Sequence, residues 1–138
     1  MLLNDKRVDP TAFQNYAIRM ATVYGHPDIV SILLSDERVD PTADDNYAIR
    51  LACAFGQTKI AQTLLKDGRA DPSANDNYAI KSASKNGHTD IVAMLLKDKR
   101  VDPSVENNVA MRMAAAYKHT DIVAMLLKDE RVNTGILP

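Results

Sequence analysis

The sequence predicts an all-α solenoid, a stack of short helical hairpins joined by extended polar fingers, forming a single domain over residues 1–138. Three observations carry this. Leu-Leu pairs fall at 2–3, 33–34, 64–65, 95–96 and 126–127, a step of 31 residues without insertion. Asp-Pro keeps the same register at 9–10, 40–41, 71–72 and 102–103. Ala followed by Ile or Met does so at 17–18, 48–49, 79–80 and 110–111. A fixed period of about 20–50 residues marks a repeat architecture, in which each unit buries its apolar face against its neighbours. The units are 4–34, 35–65, 66–96 and 97–127, with a partial turn at 1–3 and a tail at 128–138.

The partial turn holds Leu2-Leu3, the end of a second helix whose first helix is absent. Each full unit then reads as two short helices, A and B, split by a turn. In the second unit, helix A is expected from about Tyr47 to Phe55, with Ala48, Ile49, Ala52 and Phe55 at helical spacing. Alanine at 48 and 52 narrows one face, so a neighbouring helix approaches closely. Asn46 precedes this helix and suits an N-cap, while Gly56 suits the left-handed position that ends it. Helix B, about Thr58 to Lys66, carries Ile60, Ala61, Leu64 and Leu65 on one stripe. In the first unit it opens with Pro27 and Asp28, which suit the first turn of a helix and its positive dipole end. The Asp-Pro finger follows, since proline excludes helix and pushes the preceding residue toward extended backbone. The lone valine before Asp-Pro is expected to tuck against the stack. Helices of about nine residues do not persist alone in water, so stacking must supply their stability.

Composition narrows the function. No apolar run approaches the ~18–20 residues of a membrane span. The opening "MLLNDKR" has no long apolar segment followed by small residues, so no signal peptide is expected. A net charge of −1 gives no strong field for phosphates or anionic lipid, which disfavours nucleic acid and membrane as partners. The single cysteine, Cys53, forms no internal disulfide and suits a reducing compartment. The cytoplasm is the expected location, with the nucleus as the alternative.

The strings "DNYAIRLACAFGQTKIAQTLL" in unit two and "ATVYGHPDIVSILL" in unit one carry a family resemblance. Their spacing of Ala, Gly-His and Leu-Leu resembles the ankyrin repeat across nearly the whole chain. Two departures stand out: Tyr-Ala-Ile-Arg replaces the family's Thr-Pro-Leu-His, and the unit is two residues short of the family's usual 33. The missing residues fall between Leu-Leu and helix A, so a tighter finger is expected, with a plain turn in place of the β-hairpin tip. Arg50 stands where the family has a tethering histidine, and is expected to pair with a finger aspartate, Asp40 or Asp71, of the stack.

Most candidate sites have a plainer explanation. His26, His88 and His119 recur in register, about one repeat apart, whereas zinc needs its ligands within ~2–2.3 Å. They read as turn histidines, and Gln57 breaks their series. His-Thr-Asp occurs at 88–90 and 119–121 with no nucleophile placed beside it, so no enzyme activity, cofactor or metal is expected. Cys53 shares a small-residue position with Thr22, Ser84 and Ala115 and reads as a packed thiol. The columns Arg7/Arg38/Arg69/Arg100 and Asp5/Asp36/Asp67/Asp98 never vary and read as finger-shaping contacts or a solvated ladder.

Positions that vary while the frame holds are better candidates. Asp9, Pro10, Asn15, Ala17, Ala21, Ile29, Leu33 and Leu34 recur in every unit. The end of helix A does not: it reads Val23-Tyr24, Ala54-Phe55, Lys85-Asn86 and Ala116-Tyr117. Nor does the finger tip, which begins with Phe13, Asp44, Asn75 and Glu106. The resemblance implies that these two zones line a concave groove gripping a protein or peptide, with Tyr24, Phe55 and Tyr117 as an exposed aromatic row. A non-catalytic, monomeric protein-binding module is therefore expected. The competing expectation is a structural array that self-associates end to end, and an engineered scaffold is a third. The last helix B, "TDIVAMLLKD", is as apolar as the internal ones. Either Ile136-Leu137 folds over it, or the chain is a segment of a longer array, or ends stack between molecules. Lys118 replaces the helix-ending glycine, so a left-handed lysine is expected there at ~1 kcal/mol, making the last unit the most labile.

Overall fold

A computed structural model describes residues 2–132. Among the described residues, a 3-10 turn at Leu2–Asn4 is followed by eight helices. The A helices are α1 (Ala12–Val23), α3 (Ala43–Ala54), α5 (Ala74–Asn86) and α7 (Val105–Ala116). The B helices are α2 (Pro27–Leu34), α4 (Thr58–Asp67), α6 (Thr89–Leu96) and α8 (Thr120–Leu127). No strand occurs among the described residues, in line with the expected tight finger. A helices pack on A helices and B on B, giving two layers with the core between them. Ala48, Ala52, Ala79, Ala83, Ala110 and Ala114 are fully buried in the A layer, which is why those helices approach so closely. Ile60, Leu64, Ile91, Leu95, Ile122 and Leu126 fill the space toward the B layer. Val39 and Val101 are buried before their Asp-Pro as expected, and Val132 is buried in the matching position, whereas Val8 is only half-buried.

The finger contains a feature that local propensity did not announce. Three consecutive non-glycine residues per unit are left-handed: 13–15, 44–46, 75–77 and 106–108, with φ between 53° and 59°. Such backbone costs roughly 1–2 kcal/mol per residue and normally occurs as single residues. Asn and Asp tolerate it best, and units two and three use Asp44-Asp45-Asn46 and Asn75-Asp76-Asn77. The turn is closed by a backbone bond, Asn46 N to Thr42 O at 2.8 Å and Asn77 N to Ser73 O at 2.9 Å. Right-handed helix A begins only after it, at Tyr47 and Tyr78.

This corrects the N-cap expectation for Asn46. The residue does stand just before the right-handed helix, but its side chain caps nothing there. Its Oδ1 instead accepts the Asp71 backbone N–H of the next unit at 2.7 Å. Asn15 does the same for Asp40 at 2.8 Å, and Asn77 for Asp102 at 2.7 Å. The receiving aspartate then closes its own turn: Asp71 Oδ1 accepts from Ser73 N at 2.9 Å and from its hydroxyl at 2.6 Å.

The invariant Arg column is the second tie between units. Arg69 donates to the carbonyl of Val39 in the unit before at 2.8 Å, and to that of Leu34, the last residue of the unit before that, at 3.2 Å. Arg131 does so to Val101 at 2.7 Å and Leu96 at 2.8 Å, and Arg38 to Val8 and Leu3. Each guanidinium is oriented by the aspartate two residues earlier, as in Arg69–Asp67 at 2.8 Å. The side-chain hydrogen bond from Arg69 holds the Asp67 carboxyl below its ordinary value. The structure thus decides for finger-shaping contacts over a solvated ladder. Arg38 reaches the Leu3 carbonyl as Arg69 reaches that of Leu34.

The A–B turns hold the third tie. His88 Nε2 lies 3.0 Å from Ala54 O, and His119 Nε2 lies 3.0 Å from Lys85 O. The rings rest on the glycine of the unit before, where a Cβ on Gly56 would sit 2.7 Å from His88 Cε1. Lys118 is left-handed as expected, with φ 65°. Ile136 and Leu137, which were candidates to fold over the last unit, lie outside the described residues.

Candidate protein-binding groove

The varying positions come to the surface at two places, the left-handed finger tip and the end of helix A. Phe13, Asp44, Asn75 and Glu106 are all exposed on the tips. Tyr24, Phe55, Lys85, Asn86, Ala116 and Tyr117 are exposed at the helix ends, while Val23 is half-buried. Ala54 is an exception, being 6% exposed with its carbonyl taken by Asn86 Nδ2 at 2.9 Å and by His88. It offers no side-chain surface, because helix packing at that position is set by the small alanine face. Asn86 also interrupts the aromatic column, so Tyr24 and Phe55 stand on neighbouring units and Tyr117 stands two units beyond Phe55.

Part of the predicted set gathers around one hollow. Lys85, Asn86 and Glu106, together with Tyr78, Lys81, Ser82 and Met113, line a space of about 320 Å³ between α5, α7 and the fourth finger. Lys85 Nζ lies 5.6 Å from the Tyr117 ring centroid, which joins that ring to the rim. Phe13, Tyr24 and Phe55 do not line it.

Sequence reasoning missed the floor of this surface. One cation per unit, Arg19, Arg50, Lys81 and Arg112, runs along the A helices in register. Arg50 does not pair with Asp40 or Asp71, as had been expected of it. Its Nε donates to Asp45 O at 2.8 Å and its Nη2 to Asp44 O at 3.2 Å, fastening the left-handed turn of its own finger. Arg112 repeats this on Asn107 O at 3.0 Å and Glu106 O at 2.9 Å. Contact between units in this column runs through the tips and rings instead. Arg19 meets Asp44 at 2.6 Å and Lys81 meets Glu106 at 2.7 Å, each across a unit boundary. Arg19 also lies over the Tyr47 ring at 5.1 Å, and Arg50 over Tyr78 at 5.5 Å. The signal was available: a basic residue at the fifth position of each "NYAIR"-type string, facing a tip that is acidic in units two and four but Asn75 in unit three.

A family description of ankyrin repeats, in three copies, matches residues 1–76 and 70–135. The chain belongs to the ankyrin repeat family. No curated protein matches the sequence. Ankyrin repeats are generally modules of protein–protein interaction, and the family is generally non-catalytic. In this ankyrin chain the frame is carried by the Asn, Arg and His ties, which leaves the helix A ends and finger tips free to differ. No helix among the described residues is long and apolar enough to cross a membrane.

Cys53 is fully buried within α3, and burial pushes its thiol up to about 12. The thiolate needed for reaction is therefore scarce near neutrality. Native protein should not react with a chromogenic disulfide reagent at pH 8, whereas denatured protein should release one equivalent of thiolate. Rapid labelling of the native state would show the site to be open.

Proposed function

We propose that the chain is a non-catalytic binding module whose protein or peptide partner lies along the groove of helix A ends and finger tips. The observation that carries this is the division of labour between columns. The Asn, Arg and His columns tie backbone to backbone across units, while most varying residues are exposed, with Lys85, Asn86 and Glu106 gathered around a preformed hollow. Rigid presentation limits the ordering cost of association, and Phe55 and Tyr117 are the residue type that anchors interfaces. Hydrogen–deuterium exchange with a partner recovered from the source cell tests it. Protection is expected at the ends of α3, α5 and α7 and at the finger tips. Protection confined to α4 and α6 would contradict it.

End-to-end self-association has one observation in its favour. Ile29 is 47% exposed in the first unit, against 1% or less for Ile60, Ile91 and Ile122. Docking the first unit of one copy on the fourth of another would, in the internal register, bring His26 onto Lys118. The lysine Cβ occupies the space that glycine leaves open elsewhere, which is why the groove reading is preferred.

A further inference from the structure

We propose that the occupant of the groove is an extended acidic segment, with carboxylates at about every third residue and one apolar side chain seated between units three and four. This rests on the groove being the binding surface. The cation column is neutralised unevenly. Arg19 and Lys81 are matched by Asp44 and Glu106. Among the described residues, Arg50, Lys85 and Arg112 meet no carboxylate. For Arg50 the reason is local, since the third finger carries Asn75 where the second and fourth carry Asp44 and Glu106.

These three groups are held ready. Arg50 and Arg112 each commit Nε and Nη2 to two carbonyls of their own finger, which fixes the guanidinium plane. Among the described residues no acceptor meets Nη1 of either. A guanidinium oriented in this way loses little freedom on meeting a carboxylate. Lys85 stands between them on unit three, over the Tyr117 ring and on the wall of the hollow. Asp45 and Asp76 are exposed on the finger tips and disfavour an acidic chain laid across the tips themselves. Packed helices lie about 8–10 Å apart, and an extended chain rises about 3.3 Å per residue. One carboxylate every third residue therefore keeps step with units two, three and four. Between the last two, the hollow walled by Tyr78 and Met113 takes an apolar side chain.

The test uses the full chain and two fluorescein-labelled peptides, with glutamate or glutamine at every third position and one central leucine. An oligothymidylate of similar length serves as a phosphate control. The glutamate peptide is expected to bind about tenfold tighter than its glutamine twin at low salt. Lys85→Gln, on an exposed side chain, should narrow that preference several-fold, and adding Arg50→Gln and Arg112→Gln should remove it. If the triple variant fails to fold, Lys85→Gln alone decides. Amide shifts at Tyr78, Lys85 and Met113 locate the peptide. Equal affinity of the twins with shifts at those residues would overturn the acidic preference and leave the groove standing. Glutamate binding with shifts confined to α4 and α6 would overturn both readings. Tighter binding of the oligothymidylate, or no binding of either peptide, would overturn the proposal.

Discussion

Asn77→Ala is expected to lower the stability of the stack by about 2–4 kcal/mol, a large effect for an amide on a finger. Two losses add. The Asp102 backbone N–H loses the Oδ1 that it meets at 2.7 Å, and a donor stranded in this way costs about 1–3 kcal/mol. Alanine must also adopt φ near the 59° of Asn77, which costs roughly 1 kcal/mol more. Asn77→Gly separates the two, since glycine accepts the backbone but supplies no oxygen, so it should recover only the smaller part. The transition should broaden as the fourth unit uncouples from the third, and the Asp102 amide should exchange faster. An unchanged denaturation midpoint would show that the tie carries no load.

Gly56→Ala is the second large effect, expected at about 2–3 kcal/mol. Its φ of 71° penalises any side chain, and a Cβ there would meet the His88 ring at 2.7 Å. That ring must leave its place beside Ala54 O, forfeiting about 1 kcal/mol of hydrogen bond beyond the backbone strain. Gly68 supplies the control, because its φ of 87° carries the strain but nothing lies within 4 Å of its added Cβ. Gly68→Ala should therefore cost only about 1–2 kcal/mol. Lys118→Gly should act in the opposite sense, relieving a left-handed lysine and stabilising the last unit by roughly 1 kcal/mol. Thermal or denaturant unfolding of the three variants reads all of this. Equal losses at Gly56 and Gly68 would mean that the histidine ring contributes nothing.

Legibility in the sequence followed the range of the interaction. The period of 31, Pro27 opening α2, the buried Val39 and Val101 and the left-handed Lys118 are local or periodic signals, and the structure has them. Asn46 was misread because capping and cross-unit bonding ask for the same residue type, and only the second involves a partner 25 positions away. Three Asx residues in a row, as at 75–77, hinted at a left-handed turn that rules for single residues do not extend to. Arg50 was placed correctly in the frame but given the wrong partner, since its acceptors are carbonyls created by that turn. In the candidate site, variation picked out Lys85, Asn86 and Glu106, which do meet around the hollow. It also picked out Ala54, which varies in sequence but is buried in place. Variation marks freedom from the frame, and exposure has to be read separately.

The central claim is that the Asn, Arg and His ties hold the stack while the helix A ends and finger tips present the binding surface. The affinity of a recovered partner for the Phe55→Asp/Tyr117→Asp variant tests it most directly. Both rings are more than half exposed, at 58% and 55%, so the helical circular dichroism and unfolding midpoint should stay as they are in the parent chain. Affinity should fall by about a hundredfold or more, the loss of two aromatic anchors. A folded double variant that keeps its partner at the parent affinity would contradict the account.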